Sequence, residues 1–164
     1  SLTWISFCIT LLFTTILIFL AIYDGIYGEL PTAVLIAAII ISVIILALKV
    51  TSILLAHPLT PNIILAPIAS VLLLGGLYLF LYLVSRGRWV GDGDWLLGTA
   101  IAIALFDPWL ALVTLFLSNF LACLVMYPSV KGKKQKKIHF GPFLVIAFII
   151  VFSLSDLLLL VVNF

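Results

Sequence analysis

Long apolar runs alternate along the chain with short segments that contain glycine, proline or charged residues. A hydrocarbon core about 30 Å thick is crossed by about 20 apolar helical residues, so runs of this length predict membrane-spanning helices. The fourth run is only about twelve residues long, and we expect its helix to start at Asp94 in the preceding polar segment. The pattern predicts an all-α fold, a single domain over residues 1–164, with six transmembrane helices at about residues 4–23, 33–48, 63–84, 94–106, 108–127 and 141–162.

The segments between the runs carry helix-ending signals. Residues 24–32 contain two glycines and a proline, which predict a turn directly after Tyr23 and place Asp24 in it. A second polar connection is expected from Lys49 onwards. Asp107 followed by Pro108 is typical of an N-cap and the first helical position, so we assign Asp107 a structural role.

Composition supports a membrane protein and excludes several other classes. Hydrophobic residues make up 66% of the chain and the mean hydropathy is +1.46, against about 45–50% apolar residues in soluble domains. The expected surroundings are membrane lipids, and no nucleic acid partner is predicted. Cys8 and Cys123 lie in apolar runs without a metal-ligand spacing, so no metal and no cofactor are predicted.

The distribution of basic residues predicts the orientation in the membrane. Five of the eight basic residues lie in residues 128–140, and the positive-inside rule puts that segment in the cytoplasm. Counting spans back brings Arg86, Arg88 and the Asp24 turn to the same side. We therefore expect a multi-pass protein of the cell inner (cytoplasmic) membrane with its N-terminus outside.

Two aspartates, Asp24 and Asp94, are expected at this cytoplasmic face although they are 70 positions apart. Acidic groups near a bilayer are costly to keep and often functional. Two carboxylates that share a proton around one water can hydrolyse a peptide bond, one as base and the other as acid. Asp24 and Asp94 are therefore candidates for the catalytic pair of an aspartyl protease.

The glycines around Asp94 suit such a site. Gly91 and Gly93 lack a Cβ and would let a substrate backbone approach closely. Gly98 follows Asp94 by four positions, on the same helical face, and is expected to leave open space beside the acid. The simpler interpretation of Gly91 to Asp94 is a solvated polar turn, while a calcium loop or a phosphate loop lacks the further residues it needs.

Three segments together resemble the type IV prepilin peptidases. Gly91-Asp92-Gly93-Asp94 fits the Gly-x-Gly-Asp motif of aspartyl membrane proteases. Residues 24–31 are similar to the first-aspartate segment of the family, with Leu30 in place of its isoleucine. Residues 138–144 look like its Ile-Pro-Phe-Gly-Pro-Phe-Leu segment, with His139 in place of the first proline.

The resemblance implies an activity and a partner. The chain would cleave the basic leader peptide of a prepilin-like membrane substrate at the cytoplasmic face, in type IV pilus or related protein secretion. Asp24 and Asp94 would be catalytic, Asp92 would occupy the variable position, and Gly141 and Pro142 would shape the last helix beside the site. Leu96 stands where many relatives have lysine, and nothing resembles the methyltransferase domain of larger members, so no methyltransferase activity is predicted.

Two alternative functions use the same aspartates. One is an intramembrane protease of the presenilin and signal-peptide-peptidase type, which shares a Tyr-Asp pair and Gly-x-Gly-Asp, but its Pro-Ala-Leu segment is missing here. The other is a small transporter that moves cations or protons through Asp24 and Asp94. A transporter predicts acids near the middle of the membrane, whereas these border turns at one face.

Overall fold

A computed structural model describes residues 2–56, 61–87, 90–126, 140–155 and 158. Within these ranges the chain is almost entirely helical and contains no β-strand, as an all-α fold requires. Arg88, His139 and the five lysines that predicted the orientation lie outside the described residues. The helices are α1 (Leu2–Tyr27), α2 (Thr32–Ala56), α3 (Asn62–Val71), α4 (Leu77–Ser85), α5 (Asp92–Leu105), α6 (Pro108–Met126) and α7 (Gly141–Ser153).

A π-helical segment, Leu72–Gly76, joins α3 to α4, so that one helical stretch runs from Asn62 to Ser85. The segment lies against α5, where a Cβ on Gly75 would come within 3.2 Å of the Cα of Thr99. Small residues at a helix crossing let two backbones approach closely. The π-helical segment therefore coincides with the place where the third helical stretch packs most tightly on α5.

Four helical stretches are long and apolar enough to cross a membrane. They are Trp4–Tyr27, Thr32–Leu55, Asn62–Ser85 and Pro108–Val125. Their outward faces carry large apolar side chains, such as Leu55 at 80% exposure and Phe116 at 72%. Such a surface suits lipid rather than water. The other two helices are shorter in the described part, with 14 residues in α5 and 13 in α7.

The short helix α5 is the centre of the bundle. It packs against α2, α3, the π-helical segment, α4, α6 and α7. Its buried residues include Gly98 and several alanines, which allow neighbouring helices to surround it. The predicted short helix is therefore covered by protein over most of its length.

Two helices, α1 and α2, continue well past their predicted ends. Helix α1 continues through Asp24 to Tyr27 and ends only at Gly28, whose φ of 72° is left-handed and whose N–H bonds to the carbonyl of Asp24. A glycine in this conformation is a common helix end. The prediction of a turn beginning at Asp24 is therefore wrong, and Asp24 lies in the last helical turn.

The second difference concerns α2, which continues past the predicted end at residue 48 as far as Ala56. Lys49 thus lies within a helix rather than in a connection. Its Nζ donates a hydrogen bond of 2.8 Å to the carbonyl oxygen of Ala104 in the last turn of α5. A cation at the C-terminal end of a helix is stabilised by the carbonyls there, which explains how an apolar helix accommodates this lysine.

Candidate functional site

Asp24 is held at the start of α7. Its side chain is 5% exposed, and its Oδ2 accepts a hydrogen bond of 3.1 Å from the backbone N–H of Gly141. Gly141 is the first residue of α7, whose leading N–H groups have no partner within the helix. The carboxylate of Asp24 satisfies one of them and lies where the helix dipole favours negative charge.

The contact between Asp24 and α7 depends on glycine at position 141. A Cβ there would lie 2.7 Å from Oδ2 of Asp24 and 3.2 Å from its Cγ. Pro142 occupies the first turn of α7, where its missing N–H is tolerated, and its Cγ would lie 3.8 Å from a Cβ on Gly25. Gly141 and Pro142 therefore bring the start of α7 close to the last turns of α1.

Asp94 is held at the start of α5. It is 4% exposed, and its Oδ2 accepts a hydrogen bond of 2.9 Å from the N–H of Gly91, the residue that precedes the helix. This is the acidic half of a capping box, in which the third helical residue reaches back to the N-cap. Helix α5 begins at Asp92, two residues before the predicted start, and the side chain of Asp92 is exposed.

The segments that carry the two aspartates touch. A Cβ on Gly93, next to Asp94, would lie 2.6 Å from the Cβ of Leu30, which belongs to the connection after α1. The ring of Tyr78 lies 3.2 Å from the position of a Cβ on Gly98, one turn after Asp94, and 5.4 Å from the ring of Phe140, the residue before Gly141. Asp24 and Asp94 consequently lie at the same end of the bundle, which we call the carboxylate end.

The space around the glycines is more filled than the sequence suggested. Gly98 was expected to leave open space beside Asp94, but a Cβ there would lie 3.2 Å from the ring of Tyr78 and 3.5 Å from the carbonyl of Leu74. That expectation is wrong, since Gly98 serves close helix packing. Gly93 is likewise covered by Leu30. Substrate access beside Gly91, which is half-buried, and Gly93 stays a prediction.

Sequence reasoning missed Tyr78 and Ser118. Tyr78 is fully buried in α4, and its hydroxyl oxygen lies 3.1 Å from Oγ of Ser118 in α6. The available signals were two tyrosines, Tyr78 and Tyr82, in a leucine-rich run, and the polar pair Ser118-Asn119 in a largely apolar helix. Neither signal indicates that the two helices pair through these residues, because that depends on how the bundle packs.

A cavity of about 650 Å³ lies away from the carboxylate end, between α1, α2 and α7. Its lining includes Thr10, Lys49 and Phe152 and contains no acidic side chain, so it is separate from the two aspartates.

In the part of the chain that the structure describes, no three His, Cys, Asp or Glu residues cluster as metal ligands would. Comparison with protein-family models, curated proteins and solved structures found no match.

The two buried aspartates are held in a way that suits acid–base chemistry. Both carboxylates are almost fully buried in an apolar bundle, and each has a backbone N–H donor on one oxygen. Groups held in this way keep a fixed geometry, which acid–base chemistry on a bound water requires. Capping alone explains one hydrogen bond of each carboxylate, but a cap does not require that two acids be buried at the same end of a membrane-like bundle.

Proposed function

We propose that the chain is a membrane aspartyl endopeptidase of the prepilin peptidase type. It cleaves the basic leader peptide of prepilin-like precursors at the cytoplasmic membrane face, with Asp24 and Asp94 as the catalytic pair. The observation that carries the proposal is the burial of both carboxylates at one end of the bundle. The three segments whose sequences resemble the prepilin peptidases all contribute to that end, through Asp24, Asp94 and Gly141.

The proposed reaction needs only water and the two carboxyl groups. One ionised carboxylate removes a proton as the water oxygen attacks the scissile carbonyl carbon, and the protonated partner donates its proton to the carbonyl oxygen. The first carboxyl group then passes its new proton to the amide nitrogen, a hydroxyl of the tetrahedral intermediate returns a proton to the second carboxylate, and the C–N bond breaks to give a carboxylic acid and an amine. No acyl-enzyme forms, and the two groups return to their shared-proton state.

The proposal includes six transmembrane passes: one for each of the four longer stretches, and one each for α5 and α7. The N-terminus is outside, and the carboxylate end faces the cytoplasm. Helix α5 rises about 21 Å over its 14 residues, less than a hydrocarbon core of about 30 Å. The C-terminal end of α5 is bonded to Lys49, which lies in the part of α2 nearest the outer surface. Because α5 is too short to reach from there across the whole membrane, Asp94 at its start would lie below the cytoplasmic surface, within reach of a substrate helix.

The testing experiment uses purified protein in liposomes and a synthetic membrane peptide with a basic leader, a glycine and a following apolar segment. Asn at position 24 or 94 keeps an oxygen that can accept the N–H of Gly141 or Gly91, but it cannot exchange a proton. We expect Asp24→Asn and Asp94→Asn to lower the cleavage rate by at least about 100-fold while the melting temperature stays close to that of the unchanged protein.

Asp92→Asn is the matched control, because it removes a carboxylate from the same helical turn but from an exposed side chain. We expect it to keep the rate within about twofold. Cleavage that survives Asp24→Asn and Asp94→Asn in folded protein would show that the pair is not catalytic. If the unchanged protein does not cleave but carries a cation or proton flux that Asp94→Asn abolishes, the transporter alternative holds instead.

A further inference from the structure

Tyr78 connects the surroundings of the two aspartates. Its ring lies over Gly98, one helical turn after Asp94, where a Cβ would come within 3.2 Å of Cδ2 of the ring. The same ring makes an edge contact with Phe140 at a centroid distance of 5.4 Å. Phe140 immediately precedes Gly141, whose N–H holds Asp24. The side chain of Tyr78 therefore contacts both α5 and the residue before α7, and its size helps to set the distance between them.

The hydroxyl of Tyr78 is the donor in its hydrogen bond to Ser118. Oγ of Ser118 donates its own hydrogen to the carbonyl oxygen of Leu115, at 2.9 Å. The bond of 3.1 Å between Ser118 and Tyr78 must then be donated by the tyrosine, because the serine has a single hydrogen to give. The phenol is thus anchored to α6 through its hydrogen bond to Ser118.

A buried phenol is not required for packing alone. Phenylalanine has the same ring, and burying a hydroxyl costs free energy unless its hydrogen bonds are satisfied. Here Tyr78 is 0% exposed in a bundle with a largely apolar interior, and Ser118 is also 0% exposed. The hydrogen bond limits rotation and tilt of the ring, which phenylalanine at this position would not do.

Resting on the proposed function, we propose that Tyr78 is a positioning residue of the peptidase. Its ring, fixed by the hydrogen bond to Ser118, sets the spacing between the face of α5 that carries Asp94 and the start of α7 that holds Asp24. Because Tyr78 is fully buried, it acts through these helices and not by contact with substrate. A displacement of about 1 Å between reacting groups is enough to slow catalysis strongly.

The test is a double-mutant cycle of Tyr78→Phe and Ser118→Ala, measured as kcat and KM on the same synthetic membrane peptide. Each single substitution should lower kcat by about tenfold, because each releases the ring, and should leave KM unchanged. The double variant should lose no more than either single variant, since both remove the same hydrogen bond. Melting temperatures measured alongside separate this effect from unfolding.

Tyr82→Phe is the matched control. Tyr82 lies one turn further along α4, and its ring faces Gly87 instead of the aspartates. It should keep kcat unchanged. A Tyr78→Phe variant with the kcat of the unchanged protein overturns the inference, and so do independent, additive effects in the cycle.

The same assay separates this inference from the proposed function. If the unchanged protein cleaves and Asp94→Asn does not, but Tyr78→Phe cleaves at the full rate, only the positioning role is wrong. If the unchanged protein does not cleave, both are wrong. A fall in kcat that is shared by the single and double variants, with Asp94→Asn inactive, supports both.

Discussion

At the scale of single residues, neighbouring acids differ in what surrounds them. Asp92 and Asp94 are two positions apart, yet the first is exposed and the second is buried and bonded to Gly91. In a helix, residues two apart point in different directions, so the first turn of α5 turns one acid outward and the other into the bundle. The proposed peptidase uses only the inward-facing acid of this pair.

Gly141 and Gly25 provide a paired test of the packing around Asp24. Gly141→Ala would place a Cβ 2.7 Å from Oδ2 of Asp24, and we expect it to lower the free energy of unfolding by about 1–3 kcal/mol. Gly25→Ala meets only Pro142 at 3.8 Å and lies in helix α1, so it should raise that free energy by about 0.5–1 kcal/mol. Thermal or denaturant unfolding in detergent measures both. Equal effects would contradict the close approach at position 141.

At the scale of elements, helix ends account for most of the acidic residues. Asp107 fulfils its predicted role, since its Oδ1 accepts hydrogen bonds from the N–H groups of Trp109 at 2.8 Å and Leu110 at 3.2 Å. It caps α6 at a position that is only partly buried. Asp24 and Asp94 also accept bonds at helix starts, but from within the bundle. Burial, and not capping, therefore distinguishes the proposed catalytic acids from the structural one.

Substitutions of Asp107 test this distinction. Asp107→Ala removes both hydrogen bonds to the start of α6 and should lower the free energy of unfolding by about 1 kcal/mol. Asp107→Asn retains a side-chain oxygen and should cost less. Neither substitution should change the cleavage rate per folded molecule, which is measured by the peptide assay after correction for folded fraction. A large loss of cleavage in folded Asp107→Asn would assign this acid a role in the reaction.

The helices were easier to predict than their ends or their packing. Apolar runs identified each helical stretch, because the length of a run and its breaking residues are local properties. The end of α1 at Gly28 was missed, since residues 24–32 contain two glycines and the left-handed φ that ends the helix falls at the second of them. The contact between Tyr78 and Ser118 joins positions 40 apart and depends on how α4 meets α6, which a local pattern does not reveal.

At the scale of the whole molecule, the bundle has two chemically different ends. The carboxylate end brings together Asp24, Asp94 and the first turn of α7. Towards the other end, Lys49 of α2 bonds to the last turn of α5. Helices α2 and α5 therefore run side by side in the same direction, with Leu30 on Gly93 at one end and Lys49 on Ala104 at the other. This arrangement fixes the central helix at both ends.

The proposed orientation can be measured by cysteine labelling. Glu29 is exposed at the carboxylate end, and Asn62 is exposed at the start of α3. In a background with alanine at positions 8 and 123, Glu29→Cys should resist a membrane-impermeant maleimide added to intact cells, while Asn62→Cys should react. Glu29→Cys should become reactive once the membrane is permeabilised. The opposite pattern would place the carboxylate end outside the cell.

The central claim is that two buried aspartates form one hydrolytic pair. Its most direct measurement is the cleavage rate of Asp94→Asn divided by that of Asp92→Asn, on the same membrane peptide and in equally folded protein. The account predicts a ratio of about 0.01 or less, because one substitution removes a buried proton donor or acceptor and the other an exposed acid. A ratio near one would contradict it.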